Sequence, residues 1–339
     1  MKKQSIILLT VFVLFALKAQ CQAVQPLKLI QSIPIPGFHD GDFDHFATDP
    51  EDHLLFLTGE ENGAVAVFDL NTNKLVHTIT GLKAPHSIVY RADIKKLFVV
   101  DGDTAEVKIY ETDTYKPAGS IKLEDDADSS AYDPATKYMY VVNGGEGAKM
   151  KYTLISIIDT TAGKKIGDIK VDAGSVEALA LEKSGPRMYA NLESNNAVAV
   201  IDREKRTVIA TWSIEKDVKR NGPLAFDEAD KRLFVVGEDT GNIIVMDAES
   251  GKIVNKMSCI GNTDDAVWDP QNRRVYVAGV PYIYVYNLIG NRRFRQIGQI
   301  PTSFHAVTGI LVPRLNRYYL AVNHHGNTPA EVQVYEVVP

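Results

Sequence analysis

The stretch Asp133-Pro-Ala-Thr-Lys-Tyr-Met-Tyr-Val-Val142 joins a turn-forming Asp-Pro pair to an unbroken apolar-aromatic run. The Asp carboxylate can accept a backbone N–H two residues on, and Pro fixes φ for a turn. A run of aromatic and β-branched residues with no polar alternation predicts a strand covered on both faces. The same phrase returns along the chain. Asp49-Pro50 leads to Phe56, Asp227-Glu228 to Phe234 and Asp269-Pro270 to Tyr276, each seven residues on, as from Asp133 to Tyr140. Phe98, Tyr189 and Tyr319 fill the same slot where the acid is replaced. Successive slots are 42, 42, 49, 45, 42 and 43 residues apart.

A third strand ending in a polar residue follows each slot, as in Val65–Asp69, Ile155–Asp159 and Ile243–Asp247. A fourth follows most of them, as in Leu75–Ile79 and Ile253–Ile260. Four short strands per repeat of about 42–45 residues predict an all-β fold, a seven-bladed β-propeller. The seventh repeat stops after its third strand at Val332–Glu336, whereas Lys28–Ile35 is a strand with no blade of its own. That strand is expected to complete the last sheet, closing the ring and removing an exposed edge. Tyr90, Tyr132, Phe226 and Trp268, one residue before the turn position, are expected to pack between blades.

Composition agrees with one closed all-β domain. The 339 residues carry a net charge of −6, with 45% hydrophobic and 24% charged residues, which excludes a disordered chain. Lys2 and Lys3, the apolar run Ile6–Leu17 and the small-residue exit Ala19–Ala23 describe a secretory signal peptide. The apolar run falls short of the roughly 20 residues that span a bilayer. Residues 1–23 are therefore read as the signal and 24–339 as the propeller, exported to the periplasm or secreted, with no transmembrane segment after signal removal. A lipid anchor at Cys21 fits poorly, because Lys18-Ala-Gln precedes it where a lipobox has Leu first and Gly or Ala last. Removing the signal takes Lys2, Lys3 and Lys18 and no acids, so the mature charge becomes −9. Such a protein is repelled by nucleic acid and anionic lipid. Cys259 would then be the sole thiol, a buried one without a disulfide partner.

Propeller geometry sends the Asp-Pro turns to one face and the loops leading into the innermost strands to the other. Five residues before each turn position stand Asp44, His86, Asp128, Glu177, Gly222, Asp264 and Val307. These seven are expected to ring the mouth of the central channel. His45, Asn221, Asp265 and His305 sit in the same loops. Loops leaving the second strands add Glu60, Glu193 and Glu238. Turn chemistry does not require carboxylates and histidines here. They can bind a divalent metal, hold protons, receive a cationic or polyhydroxyl ligand, or simply organise the strand starts. The donor types suit Ca²⁺, Mg²⁺ or Mn²⁺, with Zn²⁺ if histidines converge, and Asp128, Glu177 and Asp264 are the metal-ligand candidates. Phe43, Phe304 and Tyr282 near the same loops could stack on a sugar. No haem-attachment, nucleophile-elbow or HExxH motif is present, and the Gly-rich Asn143-Gly-Gly-Glu-Gly147 precedes no predicted helix.

The segments Gly41-Asp-Phe-Asp-His-Phe-Ala47, Pro85-His-Ser87, Asp125-Asp-Ala-Asp-Ser129, Val176-Glu-Ala-Leu179, Asn221-Gly-Pro-Leu-Ala-Phe-Asp-Glu228 and Thr263-Asp-Asp-Ala266 resemble the YncE-like proteins. These belong to the YVTN repeat group of WD40-like β-propellers. The resemblance runs in order over the mature chain and implies an exported seven-bladed ring. It implies no particular reaction. Two departures are visible: Gly174-Ser-Val-Glu-Ala178 keeps Glu177 where His-Pro-Glu-Ser is expected, and Ala306-Val-Thr308 stands where Ala-Arg-Thr is expected.

The leading expectation is a monomeric binding module that takes a small-molecule ligand, a metal or a periplasmic protein partner at this mouth. The alternative is a metal-dependent lactonase- or lyase-type enzyme with His86 or His305 as the base.

Overall fold

The computed structural model describes residues 25–339 apart from 50, 52, 260, 291 and 292. The segment read as a signal peptide, with Cys21, lies outside the described residues.

Seven four-stranded antiparallel sheets form a seven-bladed propeller. The innermost strands are Phe43–Asp49, Pro85–Arg91, Ser130–Asp133, Ala178–Leu181, Asn221–Asp227, Thr263–Asp269 and Gly309–Val312. Leu27–Pro34 is the outermost strand of the seventh blade and pairs antiparallel with Glu331–Val337, from Leu27 opposite Val337 to Pro34 opposite Glu331. The ring is therefore closed by the two ends of the described chain, as the repeat count requires.

Burial follows the strand order. Every residue of the second strand Arg274–Gly279 is buried, while the outer strand Thr207–Ser213 alternates with a period of two. The seven aromatic slot residues are all at most 2% exposed. They carry the contacts between blades. Phe56 meets Tyr90 at 5.1 Å between ring centroids, Tyr189 meets Phe226 at 5.2 Å, and Phe234 stacks on Trp268 at 5.4 Å. Each pair joins the second strand of one blade to the innermost strand of the next.

The repeated Asp is a turn-former. Asp133 Oδ1 accepts the N–H of Ala135 at 2.9 Å, and Asp269 Oδ1 accepts those of Gln271 at 2.9 Å and Asn272 at 3.2 Å. Where the innermost strand ends in Arg91 or Val312 instead, a 3-10 turn replaces it (Ala92–Ile94 and Pro313–Leu315). The fourth blade has Glu182 at this position. There the carboxylate comes from the next blade: Glu228 accepts the N–H groups of Lys183 at 3.0 Å and Ser184 at 2.8 Å.

Candidate functional site

The seven residues five positions before the turns are adjacent in space. All line one cavity of about 600 Å³ at the mouth of the channel, where the innermost strands begin. The cavity wall also includes Asp42, His45, Glu60, Glu193, Arg220, Glu238, Thr263, Asp265 and His305. Gly222 and Val307 occupy ring positions without an ionisable group. Gly222 also makes room for a neighbour, since a Cβ there would collide with Glu238 Oε1.

Asp44 is the hub. Its Oδ2 lies 2.5 Å from His86 Nδ1, and its Oδ1 lies 3.4 Å from His45 Nε2. His86 also faces Asp128 Oδ1 at 3.6 Å through Nδ1 and Glu60 Oε1 at 3.9 Å through Nε2. His45 Nδ1 is 3.9 Å from Asp265 Oδ1, and Asp265 Oδ2 is fixed by the Gly309 N–H at 2.8 Å. Thr308 Oγ1 lies 3.3 Å from Asp264 Oδ2. The imidazole of His86 packs closely over the backbone: a Cβ on Gly102 would sit 2.8 Å from its Nε2.

The opposite part of the wall, from the fourth and fifth blades, is built differently. Arg220 pairs with Glu238, and its Nε lies 3.7 Å from Glu193 Oε1 and 3.6 Å from Asp239 Oδ1. No other Lys or Arg lines the cavity among the described residues.

Crowding of carboxylates in a half-enclosed space sets the protonation pattern. Burial opposes a charged imidazole, yet the hydrogen bond to Asp44 and the charges of Asp128, Asp44 and Glu60 outweigh it, lifting His86 to about 9. His45 rises to about 10 against burial, through Asp44, Asp265, Asp264 and Asp128. Asp44 is burial-penalised too, but the two histidines hold it below the usual carboxylate value. The remaining acids move up. Burial raises Glu60 to about 7 and, with Asp44, Asp128 to about 6. Burial and then Asp128 and Glu193 raise Glu177 to about 8, and it shares a hydrogen bond with Glu193. Burial and the neighbouring Asp265 push Asp264 well above its ordinary value, and burial raises Asp265 to about 6. At neutral pH the mouth thus holds protons on both histidines and on part of its carboxylates. His86 is a proton donor under these conditions, which disfavours it as a general base.

Two trios have ligand atoms within 4.8 Å of one another: Asp44, His45 and Asp264, and Asp44, Glu60 and His86. Of the metal-ligand candidates read from the sequence, Asp264 belongs to one trio, while Asp128 and Glu177 belong to neither. His305 stands at the rim with Nδ1 3.2 Å from Asp42 Oδ1. Asn221 is fully buried, and its Nδ2 donates to the Ala197 carbonyl at 2.9 Å. It is absent from the described cavity wall.

Sequence reasoning placed Glu60, Glu193 and Glu238 on this face without assigning them to the site. It missed Arg220, whose only signal is its place immediately before a residue at the start of an innermost strand. Cys259 is buried, and burial pushes its thiol up to about 12, so it is inert.

No protein-family model matches the chain, and no curated protein matches it in sequence. Solved structures do. A chain of Kuenenia stuttgartiensis hydrazine synthase is similar with a TM-score of 0.73 at 17% identity, covering 88% of this chain and 98% of that one. A chain of the mitotic checkpoint complex is similar with a TM-score of 0.75 at 14% identity, covering 99% of each. At such identities the likeness is one of fold. Among the described residues, no helix is long and apolar enough to cross a membrane.

Proposed function

We propose that this chain is an exported, YncE-like propeller that binds a cation-bearing ligand at the acidic mouth of its channel. The observation that carries the reading is the inventory of that one cavity. Asp42, Asp44, Glu60, Asp128, Glu177, Glu193, Glu238, Asp264 and Asp265 face it, and Arg220 is already engaged by acids. Confining like charges this closely costs free energy that a bound cation returns. A rigid ring of strand starts keeps the donors in place without the ligand. The residues of the N-terminal segment support export, and the likeness of the segments quoted above supports the family reading. The reading does not require a partner subunit.

The test is thermal unfolding of the purified protein with Zn²⁺, Mn²⁺, Ca²⁺, Mg²⁺ or putrescine. A ligand at a hundredfold excess over its Kd stabilises by about 2.7 kcal/mol, which raises the melting temperature by several degrees. The Glu177→Gln/Asp264→Asn variant should lose most of that gain. No shift with any of these cations would sink the reading and favour a protein partner at this face.

The Asp44–His86 hydrogen bond supports a second reading, a metal-dependent lactonase- or lyase-type enzyme. A carboxylate-oriented, protonated imidazole beside a metal would supply a general acid. Turnover of a lactone panel by metal-loaded protein, lost in His86→Gln, would establish it. Absence of turnover in the presence of bound metal would dismiss it.

A further inference from the structure

We propose that Asp44 is the shared ligand of two adjacent divalent-cation sites, one completed by His45 and Asp264, the other by Glu60 and His86. This rests on the reading of the mouth as a cation-binding site and gives it a stoichiometry and a metal class.

The geometry of Asp44 is the first argument. Each of its oxygens is turned toward a different histidine, Oδ1 to His45 and Oδ2 to His86. The two trios meet only at this carboxylate. Once the Asp44–His86 hydrogen bond, at 2.5 Å too short to hold an ion between its partners, opens to admit one, this carboxylate can bridge two ions, one per oxygen, as in two-metal sites. Asp128 Oδ1, 3.6 Å from His86 Nδ1, stands by as a further oxygen donor on the second site.

The support behind the trios is the second argument. Metal-bound imidazoles usually keep their other ring nitrogen on a carboxylate, which fixes the ring's orientation. His45 presents Nε2 to Asp44 and Nδ1 to Asp265, and Asp265 is itself held by the Gly309 N–H. That arrangement is in place without the ion.

An independent observation comes from Thr263, the residue before Asp264. It is 5% exposed and lines the same cavity, and its hydroxyl has no hydrogen-bond partner. A buried hydroxyl without a partner costs free energy, and rotation about its Cα–Cβ bond toward a hydrated ion beside Asp264 would provide one. Charge points the same way. Asp44, Glu60, Asp128, Asp264 and Asp265 crowd the wall from the first, third and sixth blades, and among the described residues Arg220, the one Lys or Arg of the wall, is paired elsewhere.

Mixed imidazole and carboxylate donors select Zn²⁺ or Mn²⁺ over Ca²⁺ and Mg²⁺, which take oxygen ligands. The test uses chelator-treated protein titrated with Zn²⁺, or with Mn²⁺, and counts ions retained per chain. Two ions are expected. Asp44→Asn should lose both, while His45→Gln and His86→Gln should each retain one. With Mn²⁺, the wild-type protein should give the electron paramagnetic resonance spectrum of an exchange-coupled pair, and His45→Gln that of an isolated ion. Unchanged circular dichroism and cooperative unfolding separate these losses from misfolding. Should Asp44→Asn fail to fold, the two histidine variants and the coupled spectrum still decide the matter. One ion per chain, or two without coupling, overturns the shared ligand and leaves the mouth as a cation site. Binding of no divalent ion overturns both.

Discussion

Glu177 is a residue whose chemistry departs far from its appearance in the sequence. Written out, it is a glutamate before an apolar strand; in the fold it begins the fourth blade, beside Glu193 and near Asp128. Burial and these two acids hold its proton on until about pH 8. Its folded-state pKa is therefore above the unfolded value near 4.3. Between those values the folded state binds more protons than the unfolded state, so stability falls as pH rises through the window. Each pH unit inside that window removes about 1.4 kcal/mol at most, so ionising the buried carboxyl costs a few kcal/mol above pH 8. Glu177→Gln keeps the shape and removes the charge. The variant should melt several degrees above wild type at pH 9, measured without metal, and show little gain at pH 5. An equal gain at both pH values would mean that the charge of Glu177 is not what destabilises the mouth.

A turn leads into the second strand of every blade, and the fourth blade shows what happens when its Asp is missing. Glu182 accepts the Arg187 N–H at 3.4 Å, past the turn, and the N–H groups of Lys183 and Ser184 are taken by Glu228, which reaches across from the fifth blade. Glu228 is burial-penalised, but the hydrogen bonds from Ser184 and Lys183 leave its carboxyl below the ordinary value. Glu228→Ala should cost on the order of 1–2 kcal/mol, as removal of a cap does. Urea unfolding would read this as a lower midpoint at unchanged slope, and an unchanged midpoint would dismiss the capping role. In the sequence, Glu228 is only the residue following a turn Asp. Its partner is 44 residues away, and no local pattern reports that distance. The innermost strands and the aromatic slots were legible because propensity, turn chemistry and repeat length all agreed there. Ring positions of the mouth were legible for the same reason, since the repeat fixes where each innermost strand begins. Which acid faces which histidine was not, because Asp44 meets His45 and His86 through side-chain rotamers that periodicity leaves open. Asn221 was misread on that account: its position is at the strand start, but its amide turns inward to the Ala197 carbonyl.

A propeller has no separate core, so the ring is as stable as its seam. The seam here is the strand Leu27–Pro34, whose two buried side chains serve different neighbours. Leu27, 3% exposed, belongs to one buried cluster with Tyr276 and Val285 of the sixth blade and Tyr335 of the seventh. Ile33, 4% exposed, sits opposite Val332 of the seventh blade and belongs to one buried cluster with Phe43 and Leu55 of the first. One strand thus ties the last blade to both of its flanks. Leu27→Ala and Ile33→Ala should each cost about 2–5 kcal/mol through lost burial and the cavity left behind. The two sites share no core cluster, so their effects should add to within about 0.5 kcal/mol. Leu29 and Ile30, 49% and 44% exposed on the same strand, should tolerate Ala within about 0.5 kcal/mol. If the ring unfolds as one unit, each core variant lowers a single calorimetric transition. A separate low-temperature transition in Leu27→Ala would show instead that the seventh blade detaches alone, and that closure holds one blade rather than the ring.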